Sequence, residues 1–380
     1  MPDGISNVPL PADLVRALAW LRAHLSEPID LKTLAEVAGV RPRTLETHFR
    51  AFLRTTPLGW VRRMRLANAR RDLERGRAQA TVTSVALGSG FKELGRFAVH
   101  YRVLFGEAPS ATLRRSRHSR RGTCDQVDDE AFRLTWEAMP FVFAIAPHEC
   151  GEALEKLENA QRIAPRYGLP VALAAWCWGQ RAAHFSTSPR RDREYGLKLV
   201  AQACALAQDD ALALTLASGA LTLAHRLEQA DQLLERALVL DPWLAYAWVR
   251  RGWASVYMGD PEAGVRELQI ALHLDPLGPM RHIAFIGMAS AHFASRRYER
   301  AVRWALSGTE AFAGAFWADR ITAAAAVHAG ATSEARRIAR RLMRNDPNLT
   351  VERARTAWPF PEPFMVDLAE GLAAAGVPRG

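Results

Sequence analysis

Apolar residues return at helical spacing along nearly all of these 380 residues. Leu14, Leu18, Leu21 and Leu25 share one helical face, and Pro28 ends that helix. Asp30 then stands as an N-cap for LKTLAEVAG, its carboxylate placed to accept from the free N–H groups of the first turn. Gly39 permits a tight turn, and Arg41-Pro42 opens the next helix with proline suited to its first position. In that helix the spacing turns Leu45, Phe49 and Phe52 inward and Arg43, Glu46, Thr47 and Arg50 outward. A short helix, a glycine turn and a second helix with a polar outer face make a helix–turn–helix, whose second member fits the major groove of DNA.

The pattern recurs. A longer helix, PLGWVRRMRLANARRDLER, follows Thr56 and is closed by Gly76. TVTSVALGSGF then repeats the short helix and glycine turn, and KELGRFAVHYRVLFG repeats the outward-facing helix. Here Phe97, Tyr101 and Leu104 point inward while Leu94, Arg96 and Val99 face out. Two such units on one rigid helix would set two reading helices in successive major grooves, one turn or about 34 Å apart.

Charge follows the same division. The net charge is +10, yet residues 1–123 carry 22 Lys and Arg against 10 Asp and Glu, and the remainder 28 against 30. All the excess positive charge lies in the first third, which points to a polyanionic partner there, nucleic acid before anionic membrane.

LAEVAGVRPRTLETHFRAF, TPLGWVRRMRLANARRDL and the stretch from Gly90 to Arg115 together resemble the DNA-binding domain of AraC/XylS-type transcriptional regulators. The matching features are the LAxxAG run, Leu45 and Phe49, Pro57 with Trp60, Arg65-Leu66, Ala69, Gly90-Phe91, Phe97, Tyr101-Arg102, Phe105-Gly106 and Pro109-Ser110. The resemblance implies base contacts from Arg43, Glu46 and Thr47 in the first unit and from Leu94, Gly95, Arg96 and Val99 in the second. Arg50 and Arg102, near the ends of those helices, suit phosphate contacts, which position without specifying. Thr47 stands where many members carry arginine and Gly95 where many carry serine, so the first reading head carries more of the expected selectivity. The family usually places this domain after a sensory domain, whereas here it comes first.

The basic and small-residue-rich stretch 116–130 reads as a linker, and 1–11 as a disordered start. Beyond the linker the chain repeats with a period of 34 residues. ALVLDP ends at Pro242 and ALHLDP at Pro276, while Ala230 and Gly264 are 34 apart, as are Ala301 and Ala335. That period, with small residues at close helix crossings and a terminal proline, resembles tetratricopeptide repeats. Five or six units are expected over 131–350, with a polar insertion at 186–195, about three extra residues before His282, and a capping segment over 351–380. Such repeats stack into a superhelix with a concave groove, to which Tyr246, Val249, Trp253, Val256, Phe293 and Arg320 are candidate contributors. The expected architecture is all-α: a seven-helix domain over 12–115 with two helix–turn–helix units, then an α-solenoid.

Catalytic chemistry finds little support. GSGFKELG (88–95) lacks the third glycine of a dinucleotide loop and no strand precedes it; HECGE (148–152) lacks the second histidine of HExxH; no GxxxxGK[ST] occurs. Cys124, Cys150, Cys177 and Cys204 form no CxxC pair, so reduced thiols are expected rather than a disulfide framework or zinc site. No cofactor, metal or enzymatic activity is expected. No secretory signal or membrane span is visible. The expectation is a cytoplasmic, sequence-specific regulator binding double-stranded DNA, its repeat domain taking a protein partner, RNA polymerase, an effector or a second copy. The competing expectation is an interaction scaffold whose basic domain anchors to DNA without selectivity.

Overall fold

In the computed structural model, which describes residues 11–53, 55–75, 79–121 and 129–380, every regular element is helical. The chain divides into two compact units, the first holding helices α1 to α7 together with Leu238–Trp243 and the second α8 onward apart from that stretch.

In the first unit the local signals act as expected. α1 spans Ala12–His24, α2 Leu31–Ala38 and α3 Pro42–Leu53. Asp30 caps α2 by accepting from the Thr33 N–H at 2.7 Å, and that bond holds its carboxyl below the usual range. Gly39 ends α2 in the left-handed region at φ +71°. α4 (Pro57–Arg75) runs between the two halves, and Met64, Ala67 and Leu73 along it are buried. α5 (Val82–Gly88) opens with a capping box between Thr81 and Ser84. α6 spans Leu94–Phe105 and α7 Pro109–Arg121.

Leu45 and Phe49 of α3 are fully buried, but Leu53 rather than Phe52 completes their stripe, and Phe52 is half-buried. The same one-residue rotation occurs in α6: Phe97 and Tyr101 are buried with Phe105, while Leu104 is half-buried. A one-position step turns a helix by about 100°, so the seam is set by what each half packs against. Along α6 the rings of Phe91, Phe97, Tyr101 and Phe105 follow one another at 4.9, 5.6 and 4.6 Å between centroids. Each such ring removed from water contributes roughly 1.5–3 kcal/mol.

α7 runs six residues into the stretch expected as linker. Arginine is a good helix former and no glycine or proline intervenes before Gly122. Ser116 Oγ also donates to the Leu73 carbonyl at 2.8 Å, holding α7 on α4. The rest of that linker up to residue 128, with Cys124, lies outside the described residues. So do residues 1–10 of the disordered start and the Gly76 stop.

The second unit is a stack of helix pairs: α8 (Asp129–Ala144) with α9 (Pro147–Ile163), α10 (Gly168–His184) with α11 (Pro189–Leu206), α12 (Ala211–Leu223) with α13 (Leu227–Leu240), α14 (Ala245–Tyr257) with α15 (Pro261–Leu274), α16 (Arg281–Ala294) with α17 (Tyr298–Ala311), and α18 (Asp319–His328) with α19 (Thr332–Asn345). Backbone geometry marks the period. A left-handed residue follows the first helix of four successive pairs: His225 (φ +62°), Gly259 (+86°), Arg296 (+55°) and Gly330 (+81°). The spacing is 34 residues except between Gly259 and Arg296, where three more intervene. Of residues 186–195, the first three lie in the connection after α10 and the rest open α11, which has 18 residues where α13, α15, α17 and α19 have 14.

First helices are buried almost all round, as α14 is from Tyr246 to Tyr257. Second helices bury one stripe, as α19 does with Ala335, Ile338, Ala339 and Leu342. Where the two members of a pair cross, bulk is excluded. A Cβ added to Gly264 would lie 2.5 Å from Val256 Cγ2 and 2.9 Å from the Gly252 carbonyl. These are tetratricopeptide-like pairs in sequence period and in packing. α20 (Val351–Ala357) and α21 (Glu362–Ala374) follow. α21 lies along α18, where Gly371 approaches Ala324 so closely that a Cβ would sit 2.7 Å from its Cα. Phe364 meets Phe293 edge-on at 4.9 Å, and Phe360 stacks on Phe364 at 3.7 Å.

Candidate nucleic-acid interface

α3 is held in place by contacts that leave its outer face clear. His48 Nδ1 and Asp13 Oδ2 of α1 are 2.7 Å apart, and Arg16 of α1 donates from Nε to the Ala38 carbonyl at 3.0 Å. The second bond sets a cation at the C-terminus of α2, where the helix dipole favours it. Arg43, Thr47 and Arg50 are exposed and Glu46 half-buried. Thr47 Oγ1 donates back to the Arg43 carbonyl at 2.9 Å, so outward it offers lone pairs alone, suited to a base amino group. Glu46 and Arg50 form a loose pair at 4.0 Å, an exposed contact of little energy that leaves both side chains able to turn outward.

α6 is fixed by a chain of buried polar contacts. Tyr101 Oη and Thr112 Oγ1 are 2.9 Å apart, and Thr112 donates to Glu107 Oε1 at 2.7 Å. An ionised carboxylate only accepts, so the threonine proton goes to Glu107 and Tyr101 donates to Thr112. Burial pushes the Tyr101 phenol up to about 12, which keeps that proton in place. Burial would raise the Glu107 carboxyl, but bonds from Arg115 and Thr112 outweigh it and hold the group below its ordinary value. The Arg70 guanidinium of α4 lies 4.7 Å over the Phe105 ring.

The outer face of α6 differs in chemistry from that of α3. Leu94 is 40% exposed and Val99 61%, and both are apolar. Such side chains can meet thymine methyl groups. Arg96 is exposed and pairs with Glu93 at 3.1 Å, and Arg102 is exposed near the end of the helix. Gly95 has open space around it: an added Cβ would meet nothing within 4 Å. Val103, 81% exposed, was not among the expected positions, although it follows Val99 by one helical turn. An apolar residue on the polar face was the available signal.

In the repeat unit all six expected groove residues are buried. Trp253 and Arg320 line a cavity, whereas Tyr246, Val249, Val256 and Phe293 are packed away from it between helices. Among the described residues no group of three or more His, Cys, Asp and Glu is arranged to hold a metal. Among them also, no helix is long and apolar enough to cross a membrane. Cys150, Cys177 and Cys204 are unpaired as disulfides, and Cys150 Sγ lies 3.7 Å from the Cys177 carbonyl.

Comparison with known proteins bears on the first unit. Residues 34–115 match the family described as helix-turn-helix domain. The XylDLEGF operon transcriptional activator 3 of Pseudomonas putida is 41% identical over 103 residues, 27% of this chain and 31% of that protein. The probable thc operon regulatory protein of Rhodococcus erythropolis is 38% identical over 106 residues, 28% of this chain and 32% of that protein. The match thus spans about a third of the length of these curated relatives. Among solved structures, a probable AraC family transcriptional regulator from Rhodopseudomonas palustris is 34% identical, covering 27% of this chain and 96% of that chain, with a TM-score of 0.26. A tetratricopeptide repeat protein from Parabacteroides merdae is 14% identical over 65% of this chain and all of that chain, with a TM-score of 0.36. The matched segment belongs to the helix-turn-helix family, and the first unit of this chain is an AraC-type DNA-binding domain.

Proposed function

We propose that the chain is a sequence-specific transcriptional regulator in which α3 and α6 each enter a major groove of double-stranded DNA. The observation that carries this reading is the pair of outward faces, each free of packing duties on a helix fixed from behind. Arg43, Glu46 and Thr47 would read bases from α3, with Arg50 on phosphate. Leu94, Gly95, Arg96 and Val99 would read from α6, with Arg102 on phosphate. Arginine forks onto guanine and glutamate accepts from cytosine, each good pair discriminating by roughly 1–3 kcal/mol.

The positive excess of the first third supports a large phosphate-contact share, so affinity falls steeply with salt. The curated relatives are named as an operon activator and an operon regulatory protein, which supports a regulatory, and with it a cytoplasmic, role here. The repeat unit is then the module that takes a protein partner, polymerase included, or an effector, or a second copy. Selection from a pool of random duplexes by the full chain tests the reading. An enriched motif is expected, and uniform recovery of all duplexes would leave a non-specific anchor instead.

A further inference from the structure

The chain's own C-terminal segment lies against the first helices of the stack. Arg353 donates to the His184 carbonyl and, at 3.0 Å, to Asp346, while Arg193 donates to the Thr356 and Ala357 carbonyls at 3.1 and 3.2 Å. Trp358 stands edge-on to His184 at 5.5 Å, and Phe360 lies 4.5 Å from Tyr257. A peptide laid along these helices would have to displace this segment. What remains is a cavity of about 40 Å³, room for roughly three water-sized groups.

Its walls are aromatic: Trp176, Trp253, Tyr257, Trp317, Trp358 and Phe360. Two arginines line it and no carboxylate does. The charge of Arg320 is answered, since its Nη2 donates to Asp346 at 2.8 Å and its guanidinium lies 4.8 Å over the Trp358 ring, although its Nε finds no acceptor among the described residues. His184 adds no charge, because burial and then Arg320 and Arg353 hold its imidazole well below the usual range.

Arg250 is not answered. It is 4% exposed, and its Nε and Nη2 find no hydrogen-bond acceptor among the described residues. Its guanidinium rests 4.6 Å over the Trp176 ring. Nε–H and Nη2–H lie on one edge of the guanidinium and form the two-pronged fork that fits a carboxylate. Room for this stack is built in. A Cβ on Gly219 would fall 2.5 Å from Trp176 Cζ3 and 3.2 Å from Arg250 Nε. Gln180, also buried, leaves its Oε1 without a donor on the same lining.

We propose that this cavity is a binding site for a small monocarboxylate, the acid group on the Arg250 fork and a compact apolar body against the tryptophans. One unanswered guanidinium suits one negative charge; a phosphate dianion would need a second cation, and Arg320 and Arg353 are both committed to Asp346. That the ligand acts as an effector rests on the regulatory reading above; that it binds does not.

The test uses the full chain, titrated with formate, acetate and propionate, with acetamide and propionamide as neutral isosteres. Intrinsic tryptophan fluorescence and calorimetry are the readouts, and DNA affinity for a selected site is measured in parallel. At least one of the larger acids saturates the site, and its amide binds on the order of tenfold to a hundredfold more weakly, the factor carried by lost charge-assisted hydrogen bonds. Arg250→Met loses the same factor. The amide comparison needs no variant, so it stands even if that substitution unfolds the unit. No saturable binding by any acid would overturn the proposal, as would an amide that binds equally well. Acid binding without DNA selectivity keeps the site and defeats the regulatory reading. DNA selectivity without acid binding does the reverse.

Discussion

Arg65 Nη1 of α4 donates to the Gly90 carbonyl at 3.0 Å, and its Nε donates to the Leu25 carbonyl at 2.8 Å. One side chain thus joins the end of α1 in the first helix–turn–helix to the glycine turn of the second. Gly90 sits at φ +85°, and a Cβ there would lie 2.9 Å from both Arg65 Nε and the Ser26 carbonyl. The Arg65-Leu66 and Gly90-Phe91 pairs, visible only as family-like letters in the sequence, are two halves of one contact. It fixes how the two heads are set relative to each other.

Arg65→Met therefore costs stability in proportion to the charge-assisted bonds removed, about 2–4 kcal/mol in all. Gly90→Ala is disruptive for two reasons, the left-handed backbone and the close approach of the guanidinium. Urea melts of each variant should show a lower midpoint for the first unit. An unchanged midpoint for both would mean that Arg65 is no brace.

The two arginine classes on the outer faces separate in a base-preference measurement. Arg43→Ala and Arg96→Ala relax preference at particular bases, each by roughly 1–3 kcal/mol. Arg102→Ala weakens binding to all duplexes alike and lowers the salt slope by about one. If Arg96→Ala also acts uniformly, α6 is a clamp and not a reader.

Gly95 offers a gain of function. Its surroundings are open, so Gly95→Ser adds a hydroxyl to the outer face without a clash. The helix itself gains up to roughly 0.5 kcal/mol from losing a glycine. We expect a higher melting midpoint together with altered base preference in the half-site read by α6. A stabilised variant with an identical motif would show that position 95 does not reach the bases.

Much of this was legible from local signals. Asp30, Gly39 and Pro42 placed the first turn because capping, a positive φ and a preset φ are properties of single residues. The 34-residue period was equally plain, because each repeat meets only its neighbours and so needs the same small residues at the same places. What covers the first helices was not legible. Counting outward positions on α14 picked Tyr246, Val249, Trp253 and Val256 but passed over Arg250, one turn beyond Tyr246. Trp358 and Phe360 meet the inner helices only because the chain returns across more than a hundred residues, a contact with no sequence period. Phe52 and Leu104 missed by one position for a related reason, since a stripe's centre depends on its partner.

Close packing in the repeats gives a further prediction. Gly264→Ala places a methyl 2.5 Å from Val256 Cγ2 and against the Gly252 carbonyl. The overpacking costs about 1–3 kcal/mol, against about 1 kcal/mol gained in helix propensity. The repeat unit should melt earlier than the parent, although alanine occupies the equivalent positions 230, 301 and 335. Equal or higher stability would show that the α14–α15 crossing yields.

Acid should weaken the repeat unit. Burial, then the nearby Arg297 and Arg300, lower the His292 imidazole to about 4, and burial lowers His184 and His282 in the same direction. As pH falls through about 6.5 the unfolded chain takes up protons that the folded chain does not, so folding stability declines from there toward pH 4. Above pH 7 these groups are neutral in both states and add no slope. Melting curves of the parent and His292→Gln should converge as pH falls toward 4; parallel curves would remove His292 from the account.

The central claim is that both α3 and α6 read sequence. Its most direct test is binding-site selection with the parent chain, Arg43→Ala and Arg96→Ala, read out position by position. The parent should enrich a divided motif whose halves lie about one helical turn, 10–10.5 base pairs, apart, with each variant erasing the preference of one half alone. A single undivided motif, or two variants that blur every position equally, would contradict two-headed reading.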